Sequence, residues 1–219
     1  MTEDHKYDSL PSVNVIQNKS QGVLDSALMK LLVSLRKDIA KTNQVPPYAV
    51  FQEYSLDDMA LKYPICLQEL NQINGVGEGK AKRYGSKFIE LIKKYVEENE
   101  ITRPDDLIIK STGANSALKL FLIQSIDRKL SLDDIASAKG MDMSKLISEM
   151  ETIIFSGTKL DIDYWINNLF DEDQIGELTD YFMEAESDNI QEALDEFDGE
   201  YDEEELRLMR IKFINEVAN

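Results

Sequence analysis

The stretch INGVGEGKAKRYG, residues 73–85, has the makings of a phosphate-gripping turn. An apolar residue leads into Gly75-Val76-Gly77, and a cation-rich helical segment follows. Glycines tolerate positive φ and leave backbone N–H groups uncovered. Successive N–H groups in such a turn form an anion-binding nest, and the next helix adds its positive N-terminal end. Val76 is expected to point inward, and Ala81 to allow close helix packing. Lys80, Lys82, Arg83 and Lys87 would neutralise neighbouring phosphates. Contacts of this kind hold a nucleic-acid backbone without reading its sequence. Many such hairpins merely join two helices, so the motif alone leaves both readings open. A P-loop, G-x-x-x-x-G-K-[ST], would need glycine at position 74 and serine or threonine at position 81. Asn74 and Ala81 stand there, so ATP binding by this segment is not expected.

A second feature is VPPYAVF, residues 45–51. Pro46-Pro47 stiffen the loop and fix the direction of Tyr48. An exposed Tyr48 would offer a stacking platform for an unpaired base. The plainer reading has Tyr48 covering the core with its hydroxyl in water.

These residues need helices to hold them. Leu24, Leu28, Leu31, Leu32, Leu35 and Ile39 recur at helical spacing, with Asp25 or Ser26 as cap. Pro46-Pro47 stop that helix. Ser55 and Asp58 open a short helix to about Lys62, and Pro64 ends it. Another short helix carries Leu67, Leu70 and Ile73. A long helix from about Gly79 to Val96 then presents Phe88, Leu91, Ile92 and Tyr95. A second helical unit starts near Asn115, with Leu118, Leu122 and Ile126 on one face. Residues 131–150 have a helix-turn-helix rhythm, with Ala136 small for packing, Gly140 in the turn and Leu146 apolar on the second helix. Residues 156–168 form a wing or a short helix around Trp165. Ile175, Leu178, Tyr181, Phe182, Ile190, Leu194 and Phe197 keep a helical period through the acidic region. A final helix spans about Glu203 to Val217. No alternating strand pattern occurs, so the fold class is all-α.

Other chemistry finds little support. His5 lies in a polar, aperiodic segment. Cys66 is the only cysteine, which excludes an internal disulfide framework. One His and one Cys do not make a structural zinc site. Pairs such as Asp105/Asp106, Asp133/Asp134 and Asp161/Asp163 read as surface carboxylates. No catalytic residue, metal ligand or cofactor site is assigned. No apolar run approaches the roughly 20 residues that span a bilayer, and the start lacks a signal-peptide pattern. A cytoplasmic location and no membrane partner are expected.

The net charge is −18, but it is unevenly spread. Residues 22–97 carry a net +2, and residues 98–219 carry −19. Residues 171–205 hold 17 acidic residues and no lysine or arginine. An acidic average therefore does not exclude nucleic-acid binding by the first half. The chain divides into a linker or the tail of an upstream domain (1–21), a first module (22–97), a linker (98–112) and a second, acidic module (113–219).

Taken in order, LRKDIAK, VPPYAVF, SLDDMALKYP and LQELNQINGVGEGKAKRYG with its closing helix make residues 24–96 resemble an HRDC domain. That family occurs at the C-terminus of RecQ-type ATP-dependent DNA helicases and in ribonuclease D. The resemblance implies a five-helix bundle with a helix–hairpin–helix-like turn and weak binding of single-stranded or branched DNA. Its loop aromatic would be Tyr48, and its cations would come from Arg36, Lys37, Lys41, Lys80, Lys82, Arg83 and Lys87. The second half is similar to the helix-turn-helix extension that follows HRDC in some bacterial RecQ proteins. The resemblance further implies an upstream motor, itself using ATP and magnesium, as a partner. In the second module, MSKLISEMETII offers Lys145 against Glu149 and Glu151, too few cations for a groove-entering helix. Protein or intramolecular docking is the expected role there, with a basic protein as a candidate partner for the acidic helices. Two alternatives stand beside the DNA reading. One is a protein-interaction or autoregulatory docking module. The other is the HRDC region of a ribonuclease D-like nuclease.

Overall fold

The computed structural model describes residues 24–101, 103 and 113–218, and these contain helices and no strand. Residues 1–21 and most of 98–112, which read as linkers in the sequence, lie outside the described residues, and with them His5 and the Asp105/Asp106 pair.

The first module is built from α1 (Ser26–Asn43), α2 (Pro47–Val50), α3 (Glu53–Lys62), α4 (Leu67–Leu70) and α5 (Glu78–Glu98). Asp25 caps α1, its Oδ1 accepting from the N–H groups of Ala27 and Leu28 at 3.1 Å. Burial pushes the Asp25 carboxyl up, but the Leu28 amide and the Tyr95 and Tyr63 hydroxyls hold it below the usual range. The cap therefore also ties α1 to the end of α3 and to α5. α2 is a single turn started by Pro47, where a missing N–H costs nothing. α3 begins two residues ahead of Ser55, because the Ser55 hydroxyl is used elsewhere and donates to the Asn74 carbonyl at 2.8 Å. Leu28, Leu32, Leu56, Met59, Leu70, Phe88 and Ile92 are fully buried at the centre. Phe51 meets Phe88 edge-on, their centroids 4.9 Å apart. Arg103 closes the far end with a bidentate pair to Glu69, 2.9 Å for each bond.

The second module contains α6 (Gly113–Asp127), α7 (Leu132–Lys139), α8 (Met143–Phe155), α9 (Asp163–Leu169), α10 (Glu172–Glu184), α11 (Ile190–Glu196) and α12 (Glu203–Val217). The residues around Trp165 are thus a helix, α9, and not a wing. The acidic region forms α10 and α11, with Leu178, Phe182 and Ala193 buried. Asp171 and Asp202 each begin a helix with a reciprocal capping box. α12 is the axis of this module. It packs against α8, α9, α10 and α11, and nine consecutive residues, Leu206 to Ile214, are buried.

A helix covered on every side must neutralise its charges internally. Arg207 gives Glu151 two bonds, 2.6 Å from Nη2 to Oε2 and 3.1 Å from Nε to Oε1, and adds 2.7 Å to Ser148 Oγ. Arg210 reaches the same Glu151 at 2.6 Å and also bonds the Asp188 carbonyl. Lys212 pairs with Asp163 at 2.8 Å and Glu216 at 2.5 Å. The helix that the sequence marks as a recognition helix, α8, is therefore held by its own module. Leu146, Ile147, Met150, Ile153, Ile154 and Phe155 are buried in the core, and Glu151 is bound to the arginines of α12.

Candidate nucleic-acid interface

The hairpin is fixed from behind by α3. Gly75 has φ +74°, which favours glycine, and a side chain there would meet Tyr54 Cε2 at 2.5 Å and Ser55 Oγ at 2.7 Å. The Asn74 N–H donates to Asp58 Oδ2 at 2.8 Å. Val76 is buried, as its apolar character demands, and Gly77 is the N-cap of α5. Ala81 is buried against the core.

The outer face of the hairpin is partly covered, with Gly77 half-buried and Asn74, Glu78 and Gly79 exposed. Residues 156–157, which leave α8, lie directly on it. The Ser156 carbonyl oxygen occupies the place a Gly77 Cβ would need, and the Gly157 carbonyl oxygen lies 2.5 Å from the corresponding point on Gly79. Gly157 has φ +89°, and a side chain on it would stand 2.7 Å from the Lys80 backbone nitrogen. No phosphate fits between these two backbones as they stand. The hairpin grips its own second module.

The cations divide into two groups. Lys80 is 1% exposed, donates to the Ala49 carbonyl at 2.6 Å and sits 5.6 Å from the Phe155 ring centroid. Burial pushes its ammonium down to about 7, with Asp188 opposing and Arg83 adding to the shift. The expectation that Lys80 faces phosphate is therefore corrected. It lies on the same face of α5 as Tyr84 and Phe88, four and eight residues on, and that face is buried. Arg36 is half-buried, with Nη1 donating to the Phe51 carbonyl at 2.9 Å and Nε without a partner. Burial lowers its pKa, against the charges of Glu53 and Asp188. Lys37 and Lys41 on α1 and Lys82, Arg83 and Lys87 on α5 are exposed. Lys82 pairs with Glu78 at 2.5 Å, and Arg83 lies over the Tyr84 ring at 5.3 Å.

Tyr48 is corrected more sharply. It is 2% exposed and packs into the core of the second module with Ala49. Its hydroxyl donates to the Phe182 carbonyl at 2.7 Å, so it neither stacks on a base nor reaches water. Burial raises its pKa. The stiff Pro46-Pro47 turn does aim Tyr48 in a fixed direction, but the direction is into α10. Gln52 adds a bond to Asp188 across the same seam. Beside it a cleft of about 200 Å³ is lined by Gln52 and Tyr54 from one module and Glu151, Phe155 and Arg210 from the other. Asp188 thus bears on Arg36, Tyr48 and Lys80 of the first module. Nothing in the sequence distinguishes it from the other acidic residues of its segment. Gly157, following the apolar end of α8, carries a turn signal but no hint of its target.

Among the described residues no helix is long and apolar enough to cross a membrane, and no cluster of His, Cys, Asp and Glu could hold a metal ion.

Comparison with known proteins finds a family match in each half of the chain. Residues 25–92 match the HRDC domain family, and residues 116–166 match the RecQ-1-like helix-turn-helix domain family. The ATP-dependent DNA helicase RecQ of Haemophilus influenzae is 37% identical over 94 residues, covering 40% of this chain and 15% of that protein. RecQ of Bacillus subtilis is 41% identical over 68 residues, 31% of this chain and 12% of that protein. RecQ of Pasteurella multocida is 34% identical over 90 residues, 41% and 14%. The matched stretch is thus a small part of these relatives, between 12% and 15% of their length. The chain thus carries an HRDC domain followed by a RecQ-1-like helix-turn-helix domain, an order consistent with the C-terminal region of a RecQ-type helicase.

Proposed function

We propose that this chain is the nucleic-acid-binding accessory region of a RecQ-type helicase, and that it holds single-stranded or branched DNA weakly through the outer faces of α1 and α5. The observation that carries this is the sorting of the cations. Lys37, Lys41, Lys82, Arg83 and Lys87 stand in solvent on two helices that pack together, whereas Lys80 and Arg36 are consumed internally. Exposed ammonium and guanidinium groups release counterions on meeting phosphates, giving sequence-independent, salt-sensitive binding. A net charge of only +2 on residues 22–97 agrees with a tether of low affinity. Unwinding would belong to an upstream motor that uses ATP and magnesium; the purified chain is expected to show no DNA-stimulated ATP hydrolysis.

The test is fluorescence anisotropy with labelled single-stranded and forked DNA across a salt series. The double variant Arg83→Glu/Lys87→Glu should bind more weakly. It should also flatten the salt dependence by roughly 0.7 in slope for each phosphate of a single strand that is no longer neutralised. Absence of binding by the parent chain at low salt would sink the proposal. A second reading, intramolecular docking of the HRDC module, is supported by the covered hairpin and the buried Tyr48.

A further inference from the structure

We propose that the second module is a built-in mask on the HRDC module: it occupies the hairpin's anion-facing surface, and the undocked chain binds nucleic acid more tightly than the docked one. This rests on the reading that α1 and α5 meet DNA, and it adds a regulation of that same surface. Three independent features of the seam converge on it.

The first is steric. The Ser156 and Gly157 carbonyl oxygens sit against Gly77 and Gly79, at the start of α5. They are oxygen acceptors placed at the end of a helix whose dipole favours negative charge. Peptide oxygens thus stand where phosphate oxygens would have to come. The second is the fate of the side chains. Docking draws Tyr48 out of solvent onto the Phe182 carbonyl and sets Phe155 over Lys80. Undocking returns the Tyr48 ring to the HRDC surface. The third is the long-range charge. Asp188 bonds Gln52 and lies near enough to bear on Arg36 and Lys80, and it belongs to the segment with 17 acidic residues. While docked, that segment weakens the local field that would attract a polyanion.

The second module is therefore an internal competitor, and DNA affinity is set by the docking equilibrium. A binding-competent state that is only fractionally populated lowers apparent affinity by that fraction.

The experiment uses the full chain. Gly157→Val places a side chain against the Lys80 backbone without changing any charge, and strains a positive-φ residue. Its affinity for single-stranded DNA should rise at least tenfold. In the Gln52→Cys/Asp188→Cys/Cys66→Ser background, joining the two new thiols of Gly157→Val with a short bismaleimide should restore the parent's affinity. On the parent chain, hydrogen exchange should show residues 153–158 losing protection when DNA is added. This last measurement does not depend on any variant folding. Unchanged affinity of folded Gly157→Val, failure of the link to reverse a gain, or DNA binding that leaves residues 153–158 protected would each overturn the mask. In those cases weakened binding by Arg83→Glu/Lys87→Glu leaves the α5 reading standing. Absence of DNA binding in parent and variants alike removes both.

Discussion

The Tyr48 hydroxyl and the Phe182 carbonyl are 134 positions apart in the chain and 2.7 Å apart in space. Tyr48→Phe keeps the ring and removes the donor, leaving a buried carbonyl short of a partner. A loss of about 1–2 kcal/mol in unfolding free energy is expected, read from urea titration midpoints. An unchanged midpoint would show that water supplies the missing bond. A base-stacking tyrosine, by contrast, would tolerate the change without loss of stability.

Gly77→Ala isolates the seam. The Gly77 backbone, at φ −95°, accepts any residue, so the cost comes from Ser156, whose carbonyl oxygen and Cβ an added Cβ would meet. Overpacking of this kind costs typically about 1–3 kcal/mol. The expected result is that figure in chemical denaturation, relieved in a chain whose two modules have already separated. A neutral Gly77→Ala would mean that residues 156–157 move away freely.

Lys80 gives the protein a pH dependence of definite sign. Its pKa is about 7 in the folded chain against an ordinary value of 10.5. Between those values the unfolded chain holds a proton that the folded one has shed, so stability rises with pH across that interval. One proton corresponds to a slope of at most about 1.4 kcal/mol per pH unit, and the contribution levels off below about 7. Urea midpoints at pH 7, 8 and 9 should climb for the parent chain and climb less for Lys80→Met. Equal slopes in the two proteins would show that Lys80 keeps its proton in the fold.

Glu151 is the common acceptor for Arg207 and Arg210, which are each 8% exposed. Glu151→Gln removes the countercharge shared by two guanidinium groups of α12 and leaves Arg207 only the exposed Glu203, 3.7 Å away. Breaking a buried pair by removing one partner costs about 3–5 kcal/mol. A fall of that order in thermal or urea stability is expected. A change under about 1 kcal/mol would show that water reaches the pair and screens it.

Much of the fold is legible because burial writes a period of 3.6 into a helix. The spacing of Phe88 and Ile92 marks α5, and the helix expected from Glu203 to Val217 is the one observed. α2 leaves no such mark, since four residues hold too few turns to show a period. The start of α3 lies ahead of the expected cap because the Ser55 hydroxyl serves Asn74 instead. The site is harder to read. Lysine at position 80 has the right type and distance from the glycines for a phosphate contact. Only its register with Tyr84 and Phe88 reveals that it points inward. Residue type proposes a contact, but a neighbouring module decides whether the surface is free, and sequence periodicity carries no record of that neighbour.

The axial position of α12 also sets an order of events. α1 to α5 all lie within residues 26–98, where α1 packs on α2, α3 and α5 and α4 packs on α5. They can assemble while later residues are still being synthesised. α8 has its broadest partner in α12, and α9, α10 and α11 close around the same helix. The hairpin therefore emerges early and uncovered, before the residues that come to rest on it.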